Sequence, residues 1–309
     1  MYNAERKERY INYVENVLGT VTSPGYLKTK FNNSEPYEEK LGKDLCDFSF
    51  YEITDMYSMF NLRSLESYVV LNSIYSLYTD WCLREGLVQD QINHFKTEVK
   101  IANMEKCVNA GFIKKKVITR EALLKCCNEV KNPADAYVLL GLFEGISGDC
   151  YSDLIDLKLS DITEDESGYI AHLPSGRVVP VSKEFYNYAR NANEDLEYTS
   201  YSETERVIQM EETGAILKRN KRTKLYDKEA NGKRIYFQIK KSLAYVGLEF
   251  MLGNSVYESG RVAFVKSRAA YYRLNVEDYL RSHGDEVAKR YPPKIQVDKF
   301  IRKYKEVLG

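Results

Sequence analysis

The chain has 309 residues, which is enough for two globular domains of ordinary size. Hydrophobic residues make up 44% of it and charged residues 29%, proportions that are typical of a soluble globular protein. No apolar run reaches the length of a membrane-spanning helix, and the charged N-terminus lacks the apolar region of a signal peptide. We therefore expect a cytoplasmic protein with no membrane partner.

Residue types that bind metals are scattered along the chain. The six cysteines form neither a zinc-binding spacing nor a compact disulfide framework, so we expect reduced and mostly buried thiols. The three histidines, His94, His172 and His283, are far apart and have no cysteine or carboxylate at a matching spacing. The sequence therefore predicts no metal site, and nothing in it indicates a cofactor.

The formal net charge is zero, but the charges are segregated along the chain. Residues 194–212 are predominantly acidic, residues 218–241 are strongly basic, and the part from Arg261 onward is basic as well. A neutral protein with segregated charge can still present a positive groove to phosphates. A solvated helix face beside a charged loop explains the same pattern, so charge alone leaves both interpretations open.

The first 100 residues are predicted to form a small helical domain. Residues 3–17 have apolar side chains at helical spacing, and a turn-rich stretch follows at residues 23–36. Ser64 is a suitable N-cap for a helix over Leu65–Arg84, because its side chain can accept a hydrogen bond from the first turn.

Residues 101–117 are predicted as a linker, and residues 118–309 as a larger domain that is mainly α with a small β-hairpin or sheet. The hairpin is predicted because residues 168–174 and 177–181 have strand character and flank a Ser-Gly turn. Helices are predicted over most of the remaining chain, and the last of them, Val297–Val307, is amphipathic.

Several segments follow one another in a characteristic order: Ser64–Tyr68, Ile74–Gly86, Leu139–Gly145, Asp153–Ile162, Val178–Val181, Glu258–Arg261, Arg281–Gly284 and Lys289–Tyr291. Their order resembles that of the tyrosine recombinase (phage integrase) family, over most of the chain. The resemblance implies a core-binding domain and a catalytic domain that close around DNA as a C-shaped clamp. The degenerate pattern also resembles recombinase-like master repressors of temperate Bacillus phages that use peptide communication, which lack recombinase activity.

The family's chemistry requires a tyrosine nucleophile, two arginines that stabilise the transition state and a lysine that protonates the leaving oxygen. The resemblance places the first arginine at Cys150, which is uncharged, and a histidine at Glu258, which repels a phosphate. The turn Ser175-Gly176 lacks the lysine, and the nearby Arg177 is a poor proton donor. Losing one such group costs about 10²–10³ in rate, so we expect no catalytic residue. The expected remnants are Arg261, His283 and Tyr291.

The sequence retains candidate contacts to double-stranded DNA. In the first domain they flank the capped helix and are Arg63, Ser64 and Ser67. In the linker and the second domain they are Lys114, Lys115, Lys116, Arg177, Lys218, Arg219, Lys221, Arg222, Lys224, Arg261, Lys266, Arg268 and Arg273. Phosphate contacts give affinity and salt dependence, whereas base contacts give sequence preference. A solvated position explains any single one of these residues equally well, so the prediction rests on the set.

The sequence thus predicts a DNA-binding transcriptional repressor of a temperate phage, located on the nucleoid of a bacterial host and built on an inactive recombinase fold. A protein regulator or anti-repressor is an expected partner, because a clamp is easily biased between open and closed states. Two alternatives remain open, a divergent active integrase that uses Tyr291 and an interaction protein that does not touch DNA. The C-terminal helix is expected to dock either on a second copy, forming a homo-oligomer, or on its own domain.

Overall fold

The structure is a computed structural model that describes residues 1–19, 22–60, 62, 64–108, 115–166, 168–220 and 228–308. The chain divides into two compact units, residues 1–113 and 114–309. Within the described residues, no helix is both long and apolar enough to span a bilayer. The mainly α fold with small antiparallel sheets confirms the predicted fold class.

The first unit is helical. Its described α-helices are α1 (Ala4–Tyr13), α2 (Pro24–Leu41), α3 (Phe50–Phe60), α4 (Leu65–Arg84), α5 (His94–Thr97) and α6 (Ile101–Cys107). The core is rich in aromatic rings, and α4 contributes Tyr68, Tyr75, Tyr78 and Trp81 to it. As predicted, Ser64 caps α4, because its hydroxyl accepts a hydrogen bond from the backbone N–H of Ser67 at 3.2 Å.

The stretch predicted as turn-rich is instead the long helix α2. Ser23 caps it, and Pro24 occupies its first position, where the missing N–H costs no helical hydrogen bond. Leu27 and Phe31 lie one turn apart and are buried in the core. Burial of this apolar stripe outweighs the local preference of residues 32–36 for turns.

A fully buried ion pair joins α1 to α2. Lys7 Nζ lies 2.6 Å from Glu38 Oε1, and neither side chain is exposed to solvent. The same carboxylate accepts hydrogen bonds from the Ser34 hydroxyl at 2.9 Å and from the Leu45 N–H at 2.7 Å. These partners compensate a charge that would otherwise be costly to bury.

The start of the predicted linker differs from the prediction, because it forms helix α6 and packs on α3 and α4. Met104 is buried in the core of the first unit. The carbonyl of Cys107 accepts a hydrogen bond from the Tyr68 hydroxyl at 2.9 Å. These contacts hold residues 101–107 on the first unit.

The second unit has the described α-helices α7 (Arg120–Glu129), α8 (Pro133–Phe143), α9 (Ser152–Asp156), α10 (Lys183–Glu194), α11 (Lys228–Tyr245), α12 (Gly253–Tyr272), α13 (Val276–Arg290) and α14 (Val297–Leu308). Helix α8 lies at its centre, since every residue from Asp135 to Phe143 is buried. Helices α7, α10 and α12 pack around α8.

Two three-stranded antiparallel sheets complete the second unit. The first consists of β1 (Ile162–Asp165), β2 (Gly168–His172) and β3 (Val178–Val181), and its β2–β3 pair confirms the predicted hairpin. The second consists of β4 (Glu197–Thr199), β5 (Val207–Glu211) and β6 (Arg219–Asn220). The sequence does not predict this sheet, because strands of two to five residues in a polar segment have little periodic signal.

Helices α12 and α8 approach each other closely at Gly260. A Cβ atom at this position would lie 1.8 Å from the carbonyl oxygen of Phe143, so only glycine fits. The close approach brings Glu258 and Arg261 on α12 to the end of α8. At the chain's end, α14 packs on α12 and α13, which is the intramolecular one of the two expected arrangements.

Candidate functional site

Three of the segments that the resemblance assigns to catalysis line one open cavity of the second unit, which we call the site cavity. They contain Cys150, the hairpin turn before Arg177, and Glu258 with Arg261. Its volume is about 1010 Å³. Its walls are the loop 147–151, the hairpin turn at 175–177, the first half of α12 and the segment 292–293. Segments that are distant in sequence therefore converge at one place.

Cys150 stands at the position of the first family arginine. It is exposed and lines the site cavity, in a loop where Cys150 and Tyr151 have left-handed φ angles of 54° and 64°. The left-handed conformation costs a non-glycine residue about 1–2 kcal/mol of conformational free energy. Two adjacent residues of this loop adopt it, so the surrounding structure must compensate both costs. A thiol at this position supplies neither a positive charge nor the two-pronged donor that a phosphate requires.

Arg177 follows the turn where the family has its lysine. Its guanidinium group forms hydrogen bonds within the second unit. It donates to Asp153 Oδ2 at 2.8 Å and to the carbonyl oxygens of Gly145 at 3.2 Å and Arg290 at 3.0 Å. Asp153 is fully buried and also accepts hydrogen bonds from the backbone and hydroxyl of Ser175. Arg177 thus compensates a buried carboxylate, and its contact with DNA stays a prediction.

Arg261, at the second arginine position, is only 8% exposed. One terminal nitrogen donates to Glu258 Oε1 at 2.9 Å, and the other donates to the carbonyl oxygens of Tyr291 at 2.8 Å and Pro292 at 3.0 Å. Glu258, which replaces a family histidine, also accepts a hydrogen bond from the Tyr304 hydroxyl at 2.9 Å. Both terminal nitrogens of Arg261 thus already have partners within the protein. The DNA contact at Arg261 stays a prediction, and it would require these nitrogens to exchange their partners.

Tyr291, near the position of the family nucleophile, is packed into the core and is 2% exposed. Its hydroxyl donates a hydrogen bond to the carbonyl oxygen of Phe143 at 2.7 Å, and the rings of Tyr257 and Phe264 surround it. Burial raises the pKa of Tyr291 to about 12. The hydroxyl therefore stays protonated at neutral pH and is directed at a backbone acceptor.

His283 is not part of the lining of the site cavity. Its ring stacks on Tyr272 with a centroid distance of 4.3 Å and on Tyr279 at 5.5 Å. Helix α13 is kinked at this residue, where φ is −124°. The kink divides α13 into two helical stretches.

The ionisable groups of the site cavity do not favour an anion. Three carboxylates, Asp149, Asp153 and Glu258, line it together with two guanidinium groups, Arg177 and Arg261, so their formal sum is one negative charge. A phosphodiester is an anion, and the transition state of its cleavage spreads further negative charge over its oxygens. This lining therefore supplies little of the stabilisation that strand cleavage needs.

The predicted DNA contacts fall into several groups. Arg63, Lys114, Lys221, Arg222 and Lys224 lie outside the described residues. Lys115 is exposed and Lys116 is half-buried. Ser64 is half-buried and Ser67 is exposed at the start of α4, and their hydroxyls are 3.0 Å apart.

At the start of the basic segment, Lys218 is turned inward and is 4% exposed. Its ammonium group donates to Glu212 Oε1 at 2.6 Å and to the carbonyl oxygen of Ala215 at 3.1 Å. Arg219 pairs with Glu211 at 3.0 Å. The acidic and basic segments thus meet across β5 and β6. The phosphate contact at Lys218 stays a prediction, and it would require the ammonium group to leave Glu212 and Ala215.

The predicted contacts on α12 lie toward its C-terminal end. Lys266 is exposed, and its ammonium group donates to the Val307 carbonyl at 2.8 Å. Arg268 is half-buried and pairs with Glu286 at 2.6 Å. Arg273 ends the helix in the left-handed conformation and is exposed.

One basic face was missed by the sequence predictions. Helix α11 buries Ile235 and Ile239, and its exposed side chains include Lys233, Tyr236, Phe237, Lys240 and Lys241. The helical period of these residues is visible in the sequence and could have separated the buried from the exposed face. Lysines interleaved with exposed aromatic rings are typical of surfaces that bind nucleic acid.

A convergent set of recombinase segments around a cavity without the recombinase charges defines a tyrosine-recombinase-like protein of two domains. Residues 1–84 match the family model of the MrpR N-terminal core-binding domain, and residues 117–304 match that of the MrpR C-terminal catalytic domain. The chain belongs to the MrpR family. It is also similar to the SPbeta prophage-derived uncharacterized protein YopR of Bacillus subtilis strain 168, with 24% identity over 276 residues, or 85% of this chain and 81% of that protein.

Proposed function

We propose that this protein is a sequence-specific DNA-binding repressor of a temperate phage that binds DNA without cutting it. The recombinase-like fold, the core-binding domain and the similarity to a prophage-derived protein support a phage regulator that acts on DNA. Repression follows from occupancy, because a protein bound at an operator excludes the polymerase from it. A protein partner that favours the unbound conformation would release the repressor.

One observation supports the proposal that the protein does not cleave DNA, namely that both arginines of the site cavity are paired within their own domain. Arg177 and Arg261 are each paired with a carboxylate and with backbone carbonyls of their own domain. A cleaving enzyme needs such groups aimed at the phosphate before the reaction starts. The buried Tyr291 hydroxyl and the neutral Cys150 are consistent with the same conclusion.

For the DNA interface we propose the exposed cations of α11 and of the end of α12, with the first turn of α4 in the other unit. Lys240, Lys241, Arg273 and Lys115 are exposed lysines and arginines of the second unit. Cations of this kind bind phosphate by releasing condensed counterions, so the affinity must fall steeply with salt. The polar residues at the start of α4 are the candidates for additional contacts in the first unit.

Two assays on the purified full chain test this proposal. Selection from a pool of random duplexes identifies the preferred sequence, and a nicked suicide substrate of that sequence reports any covalent protein–DNA adduct. We expect saturable, salt-sensitive binding and no adduct. An adduct that disappears in Tyr291→Phe would instead establish a divergent integrase. No binding even at about 50 mM salt would leave an interaction protein that does not touch DNA.

A further inference from the structure

Two side chains of the site cavity also hold the C-terminal segment of the chain. Arg261 donates to the carbonyl oxygens of Tyr291 and Pro292 at 2.8 and 3.0 Å, where the chain leaves α13. Glu258 lies one helical turn earlier, pairs with Arg261 at 2.9 Å and accepts the Tyr304 hydroxyl of α14 at 2.9 Å. A continuous series of polar contacts therefore joins the cavity wall to the C-terminal helix.

Low exposure makes these contacts strong. The side chains of Arg261 and Glu258 are 10% and 15% exposed, and Tyr304 is 3% exposed. Hydrogen bonds to ionised groups are about twice as strong as neutral ones, and a partly dry environment screens them little. By contrast, the pair of Arg281 with Asp298 at the start of α14 is largely exposed, and such pairs contribute little.

A glutamate suits this position better than the family's histidine. Its two carboxylate oxygens serve two donors at once, since Oε1 accepts from Arg261 and Oε2 accepts from Tyr304. A neutral imidazole has one acceptor nitrogen, so it could serve only one of the two. The replacement that makes the cavity unsuited to phosphate thus also creates an acceptor for α14.

We propose that Glu258 and Arg261 act together as a clamp that holds the C-terminal helix on its own domain. Glu258 is the positioning residue, because it fixes both the Arg261 guanidinium and the Tyr304 hydroxyl. The buried ring of Phe300 adds apolar contact to the seat of α14. The clamp goes beyond DNA binding and is measured without DNA, so its test is independent of the proposed repressor function.

Hydrogen–deuterium exchange of residues 297–308 in the full-length protein tests the clamp. The variants are Glu258→Gln, Tyr304→Phe and the two combined, and the matched control is Glu184→Gln, which removes a carboxylate that pairs with Arg120 on the surface. We expect each single variant to raise exchange of α14 about tenfold, because each loses a hydrogen bond to a charged group. The control variant should leave α14 unchanged, and peptides of the first unit should be unchanged in all variants.

The combined variant distinguishes a clamp from two separate structural effects. If Glu258 and Tyr304 act on each other, the double variant exchanges at most about twofold faster than the faster single variant. Multiplied effects of the two substitutions, or unchanged exchange in Tyr304→Phe, would overturn the proposal. Protection of α14 that rises with protein concentration would overturn it as well, because a second copy would then hold the helix.

Discussion

At the scale of single residues, the two arginines of the site cavity stabilise the fold of their own domain. Arg177 lies 2.8 Å from Asp153 and Arg261 lies 2.9 Å from Glu258, so each guanidinium compensates a carboxylate of its own domain. Removing either arginine would leave a poorly solvated negative charge, which is costly. These arginines are therefore required for stability whether or not a phosphate ever binds.

Tyr291→Phe tests whether this tyrosine is a packing residue. The substitution removes the hydrogen bond to the Phe143 carbonyl and leaves a buried oxygen with one partner fewer, so we expect the free energy of unfolding to fall by about 1–2 kcal/mol. DNA affinity should not change. Denaturant unfolding measures the loss, and Tyr271→Phe is the control, because Tyr271 is 72% exposed. An equal effect of both substitutions would contradict the prediction.

The pH dependence of the same variant gives a second readout. Burial raises the pKa of Tyr291 to about 12 from its ordinary value of 10, so the unfolded chain ionises first as pH rises. Its contribution to stability is constant below pH 10 and declines as pH rises toward 12. The difference in unfolding free energy between wild type and Tyr291→Phe should accordingly shrink above pH 10. A difference that stays constant up to pH 12 would show that the hydroxyl is not buried in solution.

The buried pair of Lys7 and Glu38 makes the sharpest residue-scale prediction in the first unit. Lys7→Met keeps the length of the side chain and leaves the Glu38 carboxylate buried without its cation, so unfolding should become easier by about 3–5 kcal/mol. The control is Lys28→Met, because Lys28 pairs with Glu8 on the surface at 3.5 Å and such pairs contribute under about 1 kcal/mol. Similar losses in both variants would show that Lys7 is solvated.

At the scale of elements, α12 connects the core to the site. One side of this helix packs on α8 at Gly260, and it also carries Glu258 and Arg261 to the cavity. The positions of these side chains therefore depend on how closely the two helices approach. The same helix bears the seat of α14, so packing and site geometry are coupled through one element.

Gly260→Ala tests the close approach of α12 and α8. The added methyl group would lie 1.8 Å from the Phe143 carbonyl oxygen, so the helices must separate, and we expect a loss of about 3 kcal/mol or more. Gly284→Ala is the matched control. Gly284 also lies within a helix, α13, and an added Cβ there would have open space around it out to 4 Å. Alanine there should be neutral or stabilising by up to about 1 kcal/mol. Thermal unfolding of the two variants compares them, and equal melting temperatures would contradict the packing.

The elements also show which features the sequence could predict. The cap at Ser64 and the β2–β3 hairpin are local, so residues close in sequence determine them. Helix α2 was missed because burial of one face, which depends on distant partners, outweighs its turn residues. In the site, the replacements at Cys150 and Glu258 are visible one residue at a time. The pair of Arg177 with Asp153 is not visible in this way, because it forms only when the hairpin folds back on α9.

At the scale of the whole molecule, the net charge conceals how charge is distributed. Part of the acidic segment neutralises the start of the basic segment, as the pairs of Lys218 with Glu212 and Arg219 with Glu211 show. The exposed lysines of α11, among them Lys240 and Lys241, lie further along the basic segment. A chain with a sum of zero can therefore still carry a surface that attracts phosphate.

Salt titration of DNA binding tests this surface. The logarithm of the binding constant falls with the logarithm of salt concentration by about 0.9 per phosphate contact, so Lys240→Ala combined with Lys241→Ala should lower the slope by about 1.8. The loss of affinity should be large at low salt and should shrink as salt rises. Fluorescence anisotropy with a labelled duplex measures both quantities.

The control for that titration is Lys43→Ala combined with Lys294→Ala. It changes the net charge equally but removes lysines that pair with Glu52 and Asp285 at 2.8 and 2.7 Å. If both double variants reduce the slope alike, the effect comes from net charge and α11 has no special role. If only the α11 variant does so, its lysines contact phosphate directly, because general electrostatic attraction is the same in both proteins.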